Sequence, residues 1–166
     1  ILVSRMRDGT EIKITKEYVV PQLQEQLDKL EAQGVRLTVV MGTGKFPQFR
    51  SKGIVLTPSE VLRGVLQSSI KKGKLAVVYP TAEQMPYAER DFGREGVEVY
   101  ADIVSPYEND DVKGLLDRLV REEPDLVFLN CFGFPYSIKR QVQEATGKTT
   151  IHSSALIARV LKELSN

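Results

Sequence analysis

The chain is poor in the residues that make cross-links: among 166 residues there is one cysteine, Cys131, and one histidine, His152. A single thiol excludes an internal disulfide framework, and one thiol with one imidazole cannot supply the four ligands of a Cys/His zinc centre. An excess of either charge is missing too. Lysine and arginine number 23 against 22 for aspartate and glutamate, a net charge of +1. A nucleic-acid surface needs a basic stripe, and none is present. No apolar run comes near the roughly 20 residues needed to span a bilayer, so no membrane segment is expected. The lone thiol makes a reducing cytoplasm the expected compartment, and no cleavable signal peptide is visible.

What remains is the composition of a soluble globular chain, 42% apolar and 27% charged, long enough for one ordinary domain or two very small ones. Ile1 to Met6 reads as a strand, Asp8-Gly9 as the pair favoured in tight hairpins, and Glu11 to Ile14 as the returning strand. Thr15 can cap a helix to about Gln33, with Val20, Leu23, Leu27 and Leu30 at helical spacing. Pro21 should kink that helix or delay its start, and Gly34 should end it. Leu37 to Met41 is a buried strand, and Gly42 to Gly53 is a Gly/Lys/Pro loop. Thr57-Pro58-Ser59-Glu60 is a helix start, with Thr as N-cap, Pro first and Glu third, leading a helix as far as Lys72.

Lys71-Lys72-Gly73-Lys74 reads as a boundary between lobes. Beyond it come strands at Leu75 to Tyr79, Val97 to Val104, Leu126 to Asn130 and Thr149 to Ile151. Helices alternate with them at Ala82 to Glu95, Asp110 to Glu122, Ser137 to Ala145 and Ser154 to Leu164. Such alternation predicts a parallel sheet with helices on both faces. The expected architecture is α/β, with two small lobes, each a mostly parallel sheet flanked by helices. Residues 1–70 with 152–166 form the first lobe and 71–151 the second. The last helix belongs with the first lobe because Leu156, Ile157, Val160 and Leu161 make an apolar face that needs a partner. The chain enters directly as a strand without an initiator Met, so a preceding βα segment is expected to be missing from the first lobe.

Ligands in such sheets bind beyond the carboxyl ends of the strands. That rule selects Gly42 to Lys52, Pro80-Thr81, Ser105-Pro106-Tyr107 and Cys131 to Tyr136. Two of these loops align with each other: Leu37 to Gly44 and Leu126 to Gly133 each run from a buried strand to a small residue, a spacer and a glycine. They are expected to face one another across a cleft. Gly42-Thr43-Gly44-Lys45 is not a phosphate loop, because Val39 stands where the Walker pattern needs glycine and Phe46 where it needs Ser or Thr. It is not a dinucleotide fingerprint either, because Pro47 takes the place of the third glycine. No cofactor and no metal are expected. His152-Ser153-Ser154 lacks triad geometry, and His152 is expected to be structural at a helix start.

Several motifs together resemble the AroM family: Val3 to Thr10, Gly42-Thr43-Gly44-Lys45-Phe46-Pro47, Arg50-Ser51-Lys52-Gly53, Ser105-Pro106-Tyr107, Asn130-Cys131-Phe132-Gly133-Phe134 and Leu156-Ile157-Ala158-Arg159. AroM proteins in turn resemble the aspartate/glutamate racemase superfamily. That resemblance implies two α/β lobes, each offering a cysteine across the cleft. Here the first cysteine position is Gly42, and only Cys131 remains. Racemisation by facing thiols needs an acid on one side of the carbon and a base on the other, so a two-thiol racemase is excluded. A one-thiol decarboxylase-like or isomerase-like proton transfer is not.

Cys131 is therefore the candidate catalytic residue, set against the plainer reading of a small buried strand-end side chain. If helix N-termini near Ser137 and Ser153 flank it, its pKa should fall below about 8.5 and iodoacetamide should attack it faster than a free thiol. Candidate substrate-binding residues are Gly42, Thr43 and Gly44 in one loop, Gly133 and Phe134 in the other, and the helix- or loop-start hydroxyls of Thr81, Ser153 and Ser154. For Thr81 and Ser153 a plain N-cap is an equal alternative. Arg5 and Arg50 could each hold a carboxylate bidentately. The expected partner is a small carboxylate-bearing metabolite, with no nucleic acid and no membrane, and a homo-oligomer is left open. The alternative is a non-catalytic sensor or binder of such a metabolite.

Overall fold

The computed structural model describes residues 1–107 and 111–165. The fold begins with a hairpin in which β1 (Leu2–Arg5) pairs antiparallel with β2 (Glu11–Ile14). Gly9 at its tip has φ +94°, a conformation open to glycine, and the Thr10 N–H donates to the Asp8 carboxylate at 2.9 Å. α1 (Lys16–Ala32) starts as expected at Thr15, whose hydroxyl accepts from the Tyr18 N–H at 3.4 Å. Its start is not delayed, and Pro21 lies inside the helix. One missing backbone donor is outweighed because Leu27, with Val20 and Leu23 beside it, packs into a small core with Val40 and Phe49.

β3 (Leu37–Val39) pairs in parallel with β4 (Ile54–Leu56). The second strand was unassigned from sequence, since three apolar residues between a glycine and a helix cap are too few to show a period. The loop between them is tied to α1. The Gln24 amide donates to the Arg50 carbonyl and accepts from the Arg50 N–H, both at 2.9 Å, while the Glu31 carboxylate accepts from the Lys52 N–H at 2.7 Å and from the Ser51 hydroxyl. α2 (Pro58–Ser69) begins where Thr57-Pro58 predicts, but the Thr57 side chain makes no capping bond.

The largest sheet holds β5 (Gly73–Tyr79), β6 (Val97–Ile103), β7 (Leu126–Leu129) and β8 (Thr149–His152) in the order β6-β5-β7-β8, all parallel. β5 and β7 are central and covered on both faces, which is why they read as unbroken apolar runs. On one face Leu75, Val77 and Phe128 pack with Leu62 and Leu66 of α2, Ala88 of α3 (Ala88–Phe92) and Ile157 of α6 (Ser153–Leu164). On the other, Val78, Val127 and Leu129 pack with Leu115 and Leu119 of α4 (Val112–Glu122) and Val142 of α5 (Tyr136–Thr146). Among the described residues no strand pairing joins the hairpin, the β3-β4 pair and the four-stranded sheet, and the whole is a two-lobe α/β fold.

One expected helix is replaced. Between Ala82 and Glu95 the chain forms a 3-10 turn over Ala82–Tyr87 and then the short α3, because Pro86 has no N–H to carry an α-helix through. The expected first residue of α4, Asp110, lies outside the described residues. Asp111 caps that helix, its carboxylate accepting from the Gly114 N–H at 2.8 Å.

A buried ion pair joins α4 to the sheet edge. Asp102 of β6 is 5% exposed, and Arg118 Nε donates to its two oxygens at 3.1 and 3.0 Å. The Tyr100 hydroxyl and the Ile103 N–H complete its bonds. Arg118→Met should lower stability by about 1–2 kcal/mol in urea unfolding, less than the roughly 3–5 of a fully buried pair because water reaches Arg118. An unchanged midpoint would show that Asp102 needs no cation.

Candidate functional site

Parallel strands deliver their loops to one edge of a sheet, so the ends of β5, β6 and β7 lie together and face the loop after β3. Between them is a cleft of about 550 Å³. Gly42, Thr43 and Gly44 line one wall, and Asn130, Cys131 and Gly133 line the other. Thr43 Oγ1 donates to the Asn130 carbonyl at 3.3 Å, so the two glycine loops meet across the cleft as the paired sequence pattern predicts.

Cys131 sits just past the end of β7 and is 7% exposed. The Gly133 N–H donates to Sγ at 3.3 Å, and the Tyr107 hydroxyl lies 3.9 Å from it. Burial pushes the thiol pKa up; the Gly133 N–H, the Tyr107 hydroxyl and the Phe134 N–H pull it down by less, and the Glu11 carboxylate adds to the rise. This corrects the expectation of a lowered pKa. A sulfur removed from water loses more hydration of its thiolate than nearby dipoles return. Burial, together with the negative charge that Cys131 can carry, also raises the Tyr107 phenol, so both groups stay protonated at neutral pH.

Gly133 is needed for this arrangement. A Cβ there would stand 2.3 Å from the Tyr107 hydroxyl oxygen, so the phenol occupies the place of a side chain. Gly42 is different: a Cβ would meet the Phe46 ring at an ordinary 3.7 Å, leaving room for a larger residue. Iodoacetamide near pH 7 should therefore modify Cys131 more slowly than a free thiol of pKa about 8.5, though still in the folded protein. Modification faster than the free thiol would contradict the raised pKa. Modification only on unfolding would make Cys131 a core residue.

The cleft wall is net positive among the described residues, with Lys16, Lys45, Arg63 and Arg90 against Glu17 and Asp91. Lys45 reaches Asp91 at 2.8 Å and Arg90 reaches it at 3.1 Å. Burial pushes the Asp91 carboxyl up, but the two cations hold it below the usual carboxylate range. A family model described as AroM protein matches residues 1–165. The chain belongs to the AroM family. No curated protein is similar enough to count as a match. Of the AroM-like motifs, the stretches around Gly42, Tyr107 and Cys131 all reach the cleft wall, which is where a family signature spread over distant parts of the chain would converge on a site.

The other candidates are placed elsewhere, outside the lining of the AroM cleft. Phe134 is 3% exposed and packs in the core with Ile138 and Val142. Ser153 is fully buried, and its hydroxyl has no partner among the described residues. The Ser154 hydroxyl bonds to His152 Nδ1 at 3.1 Å. Thr81 spends its hydroxyl on the Glu83 carboxylate, which Lys13 also holds. Arg5 donates to the Gly9 carbonyl within its own hairpin, and Arg50 is exposed with its backbone held by Gln24. Thr81, Ser154 and Arg5 thus spend their polar groups on local partners, Phe134 and Ser153 are sealed in the core, and the Arg50 side chain lies on the exposed surface.

Sequence reading missed Ser59, Arg63 and Tyr79, which do line the cleft. Ser59 and Arg63 are four apart at the start of a helix, the one available signal that both lie on a single face.

Proposed function

We propose that this AroM protein binds a small carboxylate between a lobe of residues 1–70 with 152–166 and a lobe of 71–151. Cys131 then donates a proton to the carbon next to the carboxylate. One observation carries this reading: the chain's single thiol lines a cleft whose wall is net positive among the described residues, with the Gly133 N–H donating to its sulfur and the Tyr107 hydroxyl 3.9 Å away, and burial favours its acid form. A protonated thiol is a general acid, and its thiolate can be held by the same two donors.

In a decarboxylation the C–C bond to one carboxylate breaks, CO₂ leaves, and the electron pair remains on the carbon as an enolate. That carbon forms a C–H bond as the S–H bond of Cys131 breaks, and water returns a proton to sulfur. In an isomerisation a base must first remove the proton. Gly42 opposite the thiol cannot act as that base, so the decarboxylase-like course fits the residues better. Thr43, Gly44 and Gly133 would border the substrate. A single unbridged thiol fits a reducing cytoplasm.

The second reading is a sensor or binder with the same cleft, favoured by how little of Cys131 is exposed. The two separate in D₂O. Substituted malonates, keto acids and amino acids are incubated with the protein, and NMR follows carbon-bound deuterium next to the carboxylate. Enzyme-dependent incorporation is the expected result. Binding without incorporation across the whole panel would leave the binder.

A further inference from the structure

We infer that the cleft end of α2 is the subsite for the substrate's carboxylate, formed by the Ser59 hydroxyl, the Arg63 guanidinium, the Tyr79 hydroxyl and the first N–H groups of the helix. This deepens the reading above and rests on it for the identity of the anion.

The first N–H groups of a helix have no partner within it and make its N-terminus positive. In α2 the usual remedy is absent, since the Thr57 side chain makes no capping bond. Ser59 follows within the first turn. It lines the cleft, is only 8% exposed, and makes no hydrogen bond among the described residues. Its oxygen is unpartnered yet not sealed from solvent as those of Tyr79 and Ser153 are, so it is open to a group that enters the cleft.

Arg63 lies one turn further along the same helix face and also lines the cleft. It pairs with no carboxylate among the described residues, whereas Lys45 and Arg90 are both engaged by Asp91. A guanidinium presents parallel N–H groups that fit the two oxygens of a carboxylate. Tyr79 supplies a third group. It is 3% exposed at the end of β5 and lines the same cleft, where its hydroxyl lies near the Asn130 side chain but makes no well-aligned hydrogen bond among the described residues.

The subsite is within a small molecule's reach of the thiol. Val78 is in register with Leu129 on the neighbouring strand, which places Tyr79 level with Asn130 and one residue from Cys131. Adjacent strands are about 4.8 Å apart. Val40, Phe46 and Phe132 give the cleft apolar wall, so the substrate class is a carboxylate on a compact apolar or aromatic body.

Calorimetric titration of the folded protein tests this with three probes: phenylacetate, benzyl alcohol as the same body without the charge, and inorganic phosphate as an anion without the body. Phenylacetate should bind more tightly than either. Arg63→Met should weaken it by about tenfold or more, Arg63→Lys should recover only part of that, and Ser59→Ala and Tyr79→Phe should each cost severalfold. The benzyl alcohol affinity should not change in Arg63→Met. The subsite is overturned if Arg63→Met and Ser59→Ala bind phenylacetate as the parent does, if phosphate binds as well as phenylacetate, or if phenylacetate does not bind at all. Cys131→Ala should still bind phenylacetate. If it binds while turnover is absent from the parent, the proton-donor reading falls and the subsite stands.

Discussion

Cys131→Ser should cut turnover by about 10²–10⁴-fold, the range for losing a positioned general acid, while ligand affinity stays within about twofold of the parent. A serine hydroxyl is close to the thiol in shape but a far weaker acid, so the variant removes the proton and leaves the cleft. The pH profile adds a second check. Burial holds the thiol above its ordinary range, so its acid form persists through neutral pH. The rate should be level there and fall only at alkaline pH, as the thiolate forms. A rate that rises with pH through neutrality would mean that a thiolate base, not a thiol acid, does the work. Gly42→Cys is the complementary gain. The site has room for a side chain, and a thiol there faces the loop of Cys131 across the Thr43 to Asn130 contact. Slow racemisation of a chiral product, absent from the parent, is the expected new activity. Retained turnover in Cys131→Ser would end the proton-donor reading whatever Gly42→Cys does.

Much of this arrangement could be read without coordinates, and the reasons differ by element. Of the four parallel strands, β5 and β7 were legible because burial on both faces leaves continuous apolar runs such as Leu75 to Tyr79, and the edge strands β6 and β8 followed from their alternation with helices. The opposed glycine loops were legible because two strands ending in a small residue, a spacer and a glycine repeat one local pattern. β4 was not, since its three residues carry no period, and the Ala82–Tyr87 turn was not, since helical spacing there was read through Pro86. The site was harder. Position relative to strand ends found Cys131, Gly42, Thr43, Gly44 and Gly133, all on the cleft. Hydroxyls at helix starts were a poor guide, because a hydroxyl can equally be spent on a neighbour: Thr81 on Glu83, and Ser154 on His152. The sign of the thiol's pKa shift could not be read either. Helix ends are visible in sequence as caps, whereas burial of one sulfur depends on Tyr107 and other groups distant in the chain. Arg63 and Ser59 lie on a helix between the two glycine loops, and nothing local distinguishes them from an ordinary half-buried helix face.

His152→Ala should destabilise the fold by about 3 kcal/mol, the combined cost of a lost cap, an unsatisfied carbonyl and a cavity. The ring is 3% exposed and holds two elements together. Nε2 bonds to the Phe134 carbonyl at 3.0 Å, and a carbonyl can only accept, so Nε2 carries the proton. Nδ1 then accepts from the Ala155 N–H at 3.4 Å and from the Ser154 hydroxyl at 3.1 Å, making His152 the N-cap of α6. The structural role expected from sequence is the one observed. Burial lowers the imidazole pKa, as does the Lys139 charge, against the opposing pull of the Phe134 and Pro135 carbonyls. A proton on Nδ1 would also oppose both donors that now point at it. The folded pKa thus lies below the free value of about 6.5, and the unfolded chain takes up the proton first. The neutral ring's contribution is fully present above that pH and is lost as pH falls from it toward the folded pKa. Urea midpoints should therefore drop between pH 7.5 and 5 by more in the parent than in His152→Ala. Because the chain has one histidine, its ring C–H resonance can be followed directly and should titrate below pH 6.5. A ring that titrates above that value, or a His152→Ala midpoint corresponding to less than about 1 kcal/mol of loss, would show that this cap does not hold α6 to the Phe134 loop.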